Sequence, residues 1–250
     1  DIWSHWIDYT QIVKDNSLFV TEFGFQGPAN KSTLEKFIPK KDRKIHGEIF
    51  EFHNKQVDGP ERVIRFLSAH LPLSTNWDDY LYLAQLNQGI ALKICLEHWR
   101  FNQPTTNGSI IWQINDTWPA TSWALIDSEL KPKLSYYFVK NAFASQAIRI
   151  KKNIDIIEIE ALNQTDKIFS GTIEFLAIES ATGKTLFKKN ISVDISGESI
   201  SKLISFNKQF DPCTIIIATL IDDKKNIIRR NYYCSKEWKH LTLPKAKIKV

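Results

Sequence analysis

Methionine is absent from this sequence of 250 residues, and cysteine occurs only three times. Cys95, Cys213 and Cys234 form no CxxC pair and have no metal-ligand spacing with the histidines, which argues against a zinc site. No initiator methionine begins the chain. We therefore expect a processed piece or a fragment of a longer protein.

Long apolar runs are also missing. No segment approaches the ~18 consecutive apolar residues that a membrane-spanning helix needs, and the first residues show no signal-peptide pattern. Glycine and proline number 9 each, and 43% of the residues are apolar. These proportions exclude a collagen-like, low-complexity or disordered chain. We expect a globular protein of one or two domains with no membrane partner.

Charge and tryptophan are distributed unevenly. The net charge is +5, and the basic excess lies in the C-terminal part of the chain. A nucleic-acid surface would interleave aromatic side chains with those bases. The spacing instead favours a solvated lysine-rich face or linker, so we expect no nucleic-acid partner. Seven of the eight tryptophans lie at or before Trp123, which indicates two parts with different chemistry.

Residues 1–144 alternate predicted strands and helices. A buried strand at 18–21 runs into Glu22, and a second buried strand at 109–114 runs into Asn115 and Asp116. Between them, a capping box at 32–35 predicts the start of a short helix. Pro60 opens another helix, and the longest one runs from about 78 to 100. This order indicates an α/β domain.

The pattern changes beyond about residue 144. Segments such as 157–161 and 191–195 alternate apolar and polar residues, as half-buried strands do. Turn signals separate them at intervals of roughly ten to twelve residues, which is typical of a β-sandwich. We thus predict an α/β domain at 1–144 and an all-β sandwich at 145–237. Residues 238–250 are expected to form a linker and the start of a further β domain.

Glu22 is the first candidate for chemistry. A carboxylate at the C-terminal end of a buried strand, followed by Gly24, lies where parallel α/β barrels place catalytic groups. The alternative is a strand-end acid paired with a neighbouring cation. An eight-stranded barrel needs ~250 residues by itself, so further strands would have to come from outside this chain.

The second candidate is the segment that begins at Trp112. Three tryptophans, Trp112, Trp118 and Trp123, are interleaved here with amide and carboxylate side chains. A flat indole stacks on the apolar face of a pyranose while amides and carboxylates bind its hydroxyls, so this segment is typical of a sugar site. For Trp118 and Trp123, core packing beneath a loop is an equal alternative.

Taken together, several motifs resemble the β-mannosidases of glycoside hydrolase family 2. They occur in the family's order and cover roughly residues 16–143; they are the segments 20–26, 82–88, 97–100, 108–119, 122–123 and 133–137. The resemblance implies that residues 1–144 are the C-terminal portion of a (β/α)8 TIM barrel, with strands 7 and 8 and their helices. The sandwich at 145–237 resembles by pattern the immunoglobulin-like domain that follows the barrel.

The resemblance also implies a retaining hydrolase that removes terminal non-reducing β-D-mannose from an oligosaccharide or glycan. Glu22 would be the catalytic nucleophile. Trp112 would form the floor of the sugar site, Asn115 and Asp116 would bind hydroxyls or orient neighbours, and Trp6 would belong to an aromatic wall. No metal or organic cofactor is expected, since glycoside hydrolysis runs on carboxylates.

One departure from the family pattern is an absence. A retaining mechanism needs a second carboxyl group, which in the family follows an asparagine well before the nucleophile. Only Asp1, Asp8 and Asp15 precede Glu22, and none follows an asparagine in a strand pattern. We therefore expect a partner in the missing N-terminal part of the same enzyme, and little activity from the isolated chain.

Two alternatives remain open. The chain could belong to a family 2 hydrolase of another specificity, such as a β-galactosidase, β-glucuronidase or exo-glucosaminidase, although the run at 113–119 favours the mannosidase branch. It could also be a carbohydrate-binding or structural module without turnover. The sequence leaves the compartment undetermined.

Overall fold

The computed structural model describes residues 7–153, 156–207 and 209–245. The chain divides into two compact units, Asp1–Phe143 and Ala144–Val250, and each has its own core. Trp6 lies outside the described residues, as do residues 246–250, the end of the segment 238–250 that was expected to form a linker and the start of a further β domain. Among the helices in the described part, none has the length and apolar character needed to cross a membrane.

The first unit is mainly helical around one short parallel sheet. Its strands are β1 (Val20–Phe23) and β2 (Ser109–Ile111), which pair in parallel. Its α-helices are α1 (Lys31–Phe37), α2 (Glu48–Phe52), α3 (Gly59–His70), α4 (Trp77–Arg100) and α5 (Leu134–Ala142). Short 3-10 helices occupy Tyr9–Lys14 and Lys40–Asp42.

The long helix α4 covers one face of the sheet. Phe23 of β1 is fully buried, and its ring meets that of Trp99 edge to face at 4.5 Å between centroids. Leu92 and Leu96 of α4 belong to the same core cluster as Val20. The packing of Val20 and Phe23 against α4 therefore stabilises the position of β1.

Two local predictions differ from the structure. Helix α1 begins one residue before Ser32, and the residue at its N-cap is Asn30, so the predicted capping box does not form. The Ser32 hydroxyl accepts from the Lys131 ammonium at 3.0 Å, and the Thr33 hydroxyl donates to the buried carboxylate of Asp127 at 2.7 Å. Strand β2 ends at Ile111 rather than at Ile114, because the Ile114 carbonyl accepts from the amides of Leu125 and Ile126 in the following loop.

The second unit is formed almost entirely of antiparallel strands. These are β3 (Gln146–Asn153), β4 (Ile156–Asn163), β5 (Phe169–Glu179), β6 (Thr185–Ile195), β7 (Ser199–Asn207), β8 (Thr214–Asp222) and β9 (Ile227–Cys234). One sheet has the order β3-β4-β7 and the other β6-β5-β8-β9. A 3-10 helix follows at Trp238–His240.

A single apolar core joins these two sheets. Ile157 and Ile159 of β4 and Phe175 of β5 are almost completely buried in the same cluster. Alternate residues of β4, β5 and β8 contribute to it, as in the packing of a β-sandwich. Cys213 and Cys234 both carry free thiols.

Candidate functional site

The parallel pairing of β1 with β2 brings the segments that follow Glu22 and Trp112 together. Val20 pairs with Ser109 and Phe23 with Ile111, so the two strands end side by side. The Trp112 amide then donates to the Phe23 carbonyl at 2.8 Å. Glu22, half-buried, is the residue directly before this hydrogen bond.

Gly24 allows this close approach. A Cβ atom at position 24 would collide with the carbonyl oxygen of Trp112 and would press on the Trp123 ring. Because one neighbour is backbone, the collision could be relieved only by moving the two strand ends apart. The glycine directly after the Glu-Phe pair therefore sets the spacing of the candidate site.

Trp112 lies on the face of the sheet that α4 does not cover. Ile111 packs against the core cluster of α4, and side chains alternate along a strand, so Ile110 and Trp112 point the other way. Their side chains are 54% and 44% exposed. The peptide bond between Trp112 and Gln113 is cis. Strand β2 was predicted to be buried, but the described residues cover only one of its faces.

Asn115 and Asp116 have different surroundings. Asn115 is exposed, and its side-chain amide donates to the Asp116 carbonyl at 3.4 Å. Asp116 is buried, and its carboxylate accepts from the Ser122 hydroxyl at 2.7 Å. Burial raises the pKa of Asp116, although Lys133 and the Ser122 hydrogen bond act in the opposite direction. The Asp116 carboxylate is therefore engaged within the loop.

The two described acids before Glu22 already have partners. The Asp8 carboxylate lies 2.7 Å from Nε2 of His70. Burial alone would raise the pKa of Asp8, but hydrogen bonds from His70 and Thr10 outweigh it and lower that pKa to about 2. Asp15 accepts from the Trp99 indole at 2.8 Å. An Asp8 held as a carboxylate is unsuited to act as a general acid near neutral pH.

A cavity of about 310 Å³ opens beside the end of β1. Its walls combine aromatic side chains with polar ones; among them are Tyr9, Phe25, Phe66, Trp123, Gln26 and Arg62. Among the described residues, the buried Nε atom of Arg62 and the buried Oε1 atom of Gln26 have no hydrogen-bond partner. Such a lining suits a hydroxylated ligand, which both donates and accepts hydrogen bonds. Glu22 and Trp112 do not line this cavity.

Several of these residues carry no signal in the sequence. Arg62 looks like an ordinary surface side chain, and Gln26 belongs to the motif 20–26, but only the tertiary fold brings the two to one cavity. Trp118 stacks on His53 with 4.8 Å between ring centroids, so its indole packs within the loop region on that side. Nδ1 of His53, in turn, lies 2.5 Å from the Pro119 carbonyl. Trp123 is half-buried and faces the cavity.

The described residues form no cluster of side chains suited to bind a metal ion. No group of three or more histidine, cysteine, aspartate or glutamate side chains there is arranged to hold an ion.

Comparison with known proteins places this arrangement in context. No family model matches the chain. A solved β-D-mannosidase from Dictyoglomus thermophilum superposes with a TM-score of 0.91 at 38% sequence identity, over 97% of this chain and 30% of that one. The chain is similar to the C-terminal portion of the β-mannosidases of glycoside hydrolase family 2.

Curated sequences of the family agree with the structural match. β-Mannosidase B of Aspergillus niger is 27% identical over 75% of this chain and 24% of its own length. β-Mannosidase B of Aspergillus clavatus is 22% identical over 93% of this chain and 30% of its own length. This chain therefore spans less than a third of the length of these relatives.

A more distant structure shares the fold. The exo-chitosanase of Amycolatopsis orientalis superposes with a TM-score of 0.74 over 92% of this chain, at 17% identity. At that identity the likeness concerns the architecture alone. The β-sandwich sheets and helices of this chain therefore match domains of family 2 glycosidases.

Proposed function

We propose that this chain forms part of a retaining glycosidase that removes terminal non-reducing β-D-mannose, with Glu22 as its nucleophile. The observation that carries the proposal is the hydrogen bond between Trp112 and Phe23, which fixes the Glu22 strand end beside an exposed indole. The 38% identity with a β-D-mannosidase over 97% of the chain supports the sugar specificity.

Glu22 performs the covalent step in this proposal. Its carboxylate attacks the anomeric carbon of the mannoside while the bond to the leaving oxygen breaks, which forms a glycosyl-enzyme ester. Water then hydrolyses that ester and releases mannose. Both steps require a second carboxyl group ~5–5.5 Å from the nucleophile, acting as acid and then as base. That group is expected from a part of the enzyme outside this chain.

Trp112 supplies the apolar contact with the sugar. Its indole is 44% exposed on the face that α4 leaves uncovered, so the apolar side of a pyranose can stack on it. Asn115 is exposed and available for hydroxyl groups. Asp116, whose carboxylate is held by Ser122, orients the loop that carries Asn115. Trp6, proposed as an aromatic wall, lies outside the described residues.

The proposal includes a fold assignment. Strands β1 and β2 pair in parallel; α4 comes after β1 in the sequence, and α5 comes after β2. Strands 7 and 8 of a (β/α)8 barrel, with their helices, would have the same arrangement. The exposed Ile110 supports this, because in a barrel the uncovered face would point at the interior side chains of the remaining strands. The β-sandwich of the second unit is proposed to be immunoglobulin-like.

A labelling experiment tests the nucleophile in the full-length protein. A 2-deoxy-2-fluoro-β-mannosyl fluoride should form a stable ester with one carboxylate per chain, and peptide mass spectrometry should locate it on Glu22. Glu22→Gln should lower kcat on p-nitrophenyl β-mannoside by at least ~10⁴-fold. Glu48→Gln, a change at an exposed glutamate of the same unit, is the control and should leave kcat unchanged.

Substrate comparison separates the remaining alternatives. Hydrolysis of the β-mannoside should exceed that of the β-glucoside, β-galactoside and β-glucosaminide analogues. A preference for one of those analogues would move the proposal to another branch of family 2. Binding of mannobiose without any hydrolysis would instead favour a carbohydrate-binding module.

A further inference from the structure

Lys133 is a fully buried lysine at the junction of the two loops that follow β1 and β2. Its ammonium donates to the Gly27 carbonyl at 2.9 Å and to the Ser122 carbonyl at 3.3 Å. Gly27 and Ser122 also pair with each other through backbone hydrogen bonds of 2.9 and 3.1 Å. The ammonium therefore joins the loop after Glu22 to the loop after Trp112.

The charge of Lys133 is poorly compensated for a buried group. The carboxylate of Asp116 lies 3.9 Å from its Nζ, beyond hydrogen-bond distance. Burial lowers the pKa of Lys133 to about 8, although Asp116 and Asp127 act in the opposite direction. Replacing a buried ion pair by apolar side chains is often neutral or stabilising, so stability alone gives little reason for a lysine here.

A second buried side chain strengthens the same junction. Gln88 of α4 is fully buried, and its amide nitrogen donates to the Phe25 carbonyl at 2.9 Å and to the Trp123 carbonyl at 3.1 Å. A Cβ atom at position 27 would collide with this Gln88 side chain. The two loops are thus tied from α4 on one side and from Lys133 on the other.

We propose that Lys133 is a positioning residue, which fixes the strand end carrying Glu22 relative to the strand end carrying Trp112. This inference rests on the proposed function. In this proposal Lys133 acts through the paired Gly27 and Ser122, whose carbonyls accept its hydrogen bonds. A misplacement of ~1 Å between a nucleophile and its bound substrate can lower a rate by ~100-fold. A shift of the two loops at this junction would therefore lower the catalytic rate.

Lys133→Met in the full-length protein tests this role, because methionine has a similar volume and no donor. We expect kcat on p-nitrophenyl β-mannoside to fall ~100-fold with less than a threefold change in KM. The rate of fluoromannosyl labelling of Glu22 should fall likewise, while the final labelling still reaches one per chain and reports a folded site. Lys131→Met is the matched control, since Lys131 lies two residues away, is partly exposed and bonds Ser32.

Chemical rescue distinguishes positioning from packing. Lys133→Ala leaves a space that propylammonium and propanol can both fill, but only the ammonium can donate a charged hydrogen bond to two carbonyls. We expect propylammonium to restore activity at least tenfold and propanol to have no effect. Equal rescue by both, or a rise in KM at unchanged kcat in Lys133→Met, would overturn the proposal.

Hydrogen exchange separates this inference from the proposed function. Lys133→Met should speed hydrogen exchange of the Gly27 and Ser122 amides at least tenfold, and this measurement needs no substrate. If the wild-type protein hydrolyses no β-mannoside while those amides behave as expected, the glycosidase proposal fails and the loop junction stands. Unchanged exchange together with an active wild type would refute the junction alone.

Discussion

The Trp112 amide donates a hydrogen bond to the Phe23 carbonyl at 2.8 Å, one residue beyond Glu22. This contact ties the two strand ends by backbone atoms, so it does not depend on the rotamer of either side chain. A nucleophile and a sugar-binding ring need such rigid support, because catalysis requires the reacting groups to be held in a narrow range of positions. The proposed site is therefore fixed by β-sheet geometry.

Removing the indole of Trp112 should affect substrate binding more than folding. Trp112→Ala should lower kcat/KM on β-mannosides ~10- to 100-fold, since an aromatic ring that stacks on the sugar contributes ~1–3 kcal/mol. The side chain is 44% exposed, so the midpoint of urea unfolding should shift little. Trp112→Phe keeps a ring and should retain most of the activity; a Phe variant as impaired as the Ala variant would contradict stacking.

Adding a methyl group at Gly24 should separate the two strand ends. Gly24→Ala would place Cβ against the Trp112 carbonyl oxygen, which cannot rotate away, and we expect a loss of ~1–3 kcal/mol of unfolding free energy. Glu22 labelling should also slow. Gly183→Asn is the control: this glycine has a φ of 73° with nothing near its Cβ position, and asparagine tolerates that conformation. Chemical denaturation of both variants checks the comparison.

Phe175 is the side chain whose loss should most loosen the sandwich. It is fully buried and packs on Phe206 at 4.6 Å between ring centroids. Phe175→Ala should cost ~3–5 kcal/mol. Because the units have separate cores, faster hydrogen exchange is expected in β5 and β8 and not in α4. Leu186→Ala, at an exposed position of β6, should change neither; equal loosening of α4 would argue against separate cores.

Asp127 should make the first unit sensitive to acid. Burial would raise its pKa, but hydrogen bonds from Thr33, Asn30 and nearby backbone amides outweigh burial and lower it. The folded state therefore binds the proton less readily than the unfolded one. This contribution is complete above the ordinary pKa of ~3.9 and is lost as pH falls through the lowered folded value.

Substitution makes the effect of Asp127 measurable. Asp127→Asn should lower the unfolding free energy by ~1–3 kcal/mol at pH 7, because an amide cannot accept all of those hydrogen bonds. The difference from wild type should shrink below pH 4. Urea unfolding at pH 7 and pH 3 measures it, with Asp223→Asn in an exposed turn as the control. A deficit that persists at low pH would show that the carboxylate charge is not responsible.

Sequence patterns predicted a helix correctly where the pattern depends only on neighbouring residues. Pro60 at a helix start and the apolar face of 78–100 predicted α3 and α4 to within about one residue, since helical periodicity depends on near neighbours. The capping box at 32–35 does not form because α1 begins earlier, with Asn30 at its N-cap, and the Ser32 hydroxyl instead accepts from the distant Lys131 ammonium at 3.0 Å. Competition from a distant residue leaves no trace in a four-residue motif.

The candidate site divides in the same way. The sequence alone determined that a glutamate and a tryptophan each follow an apolar, β-branched run. Strand patterns and the order of motifs depend only on the order of residues in the chain. Only the tertiary structure decided that Lys133 is buried while Lys131 is partly exposed, and that Gln26 and Arg62 face one cavity. Burial and charge compensation depend on which loops meet in space, and that follows from the packing of the whole unit.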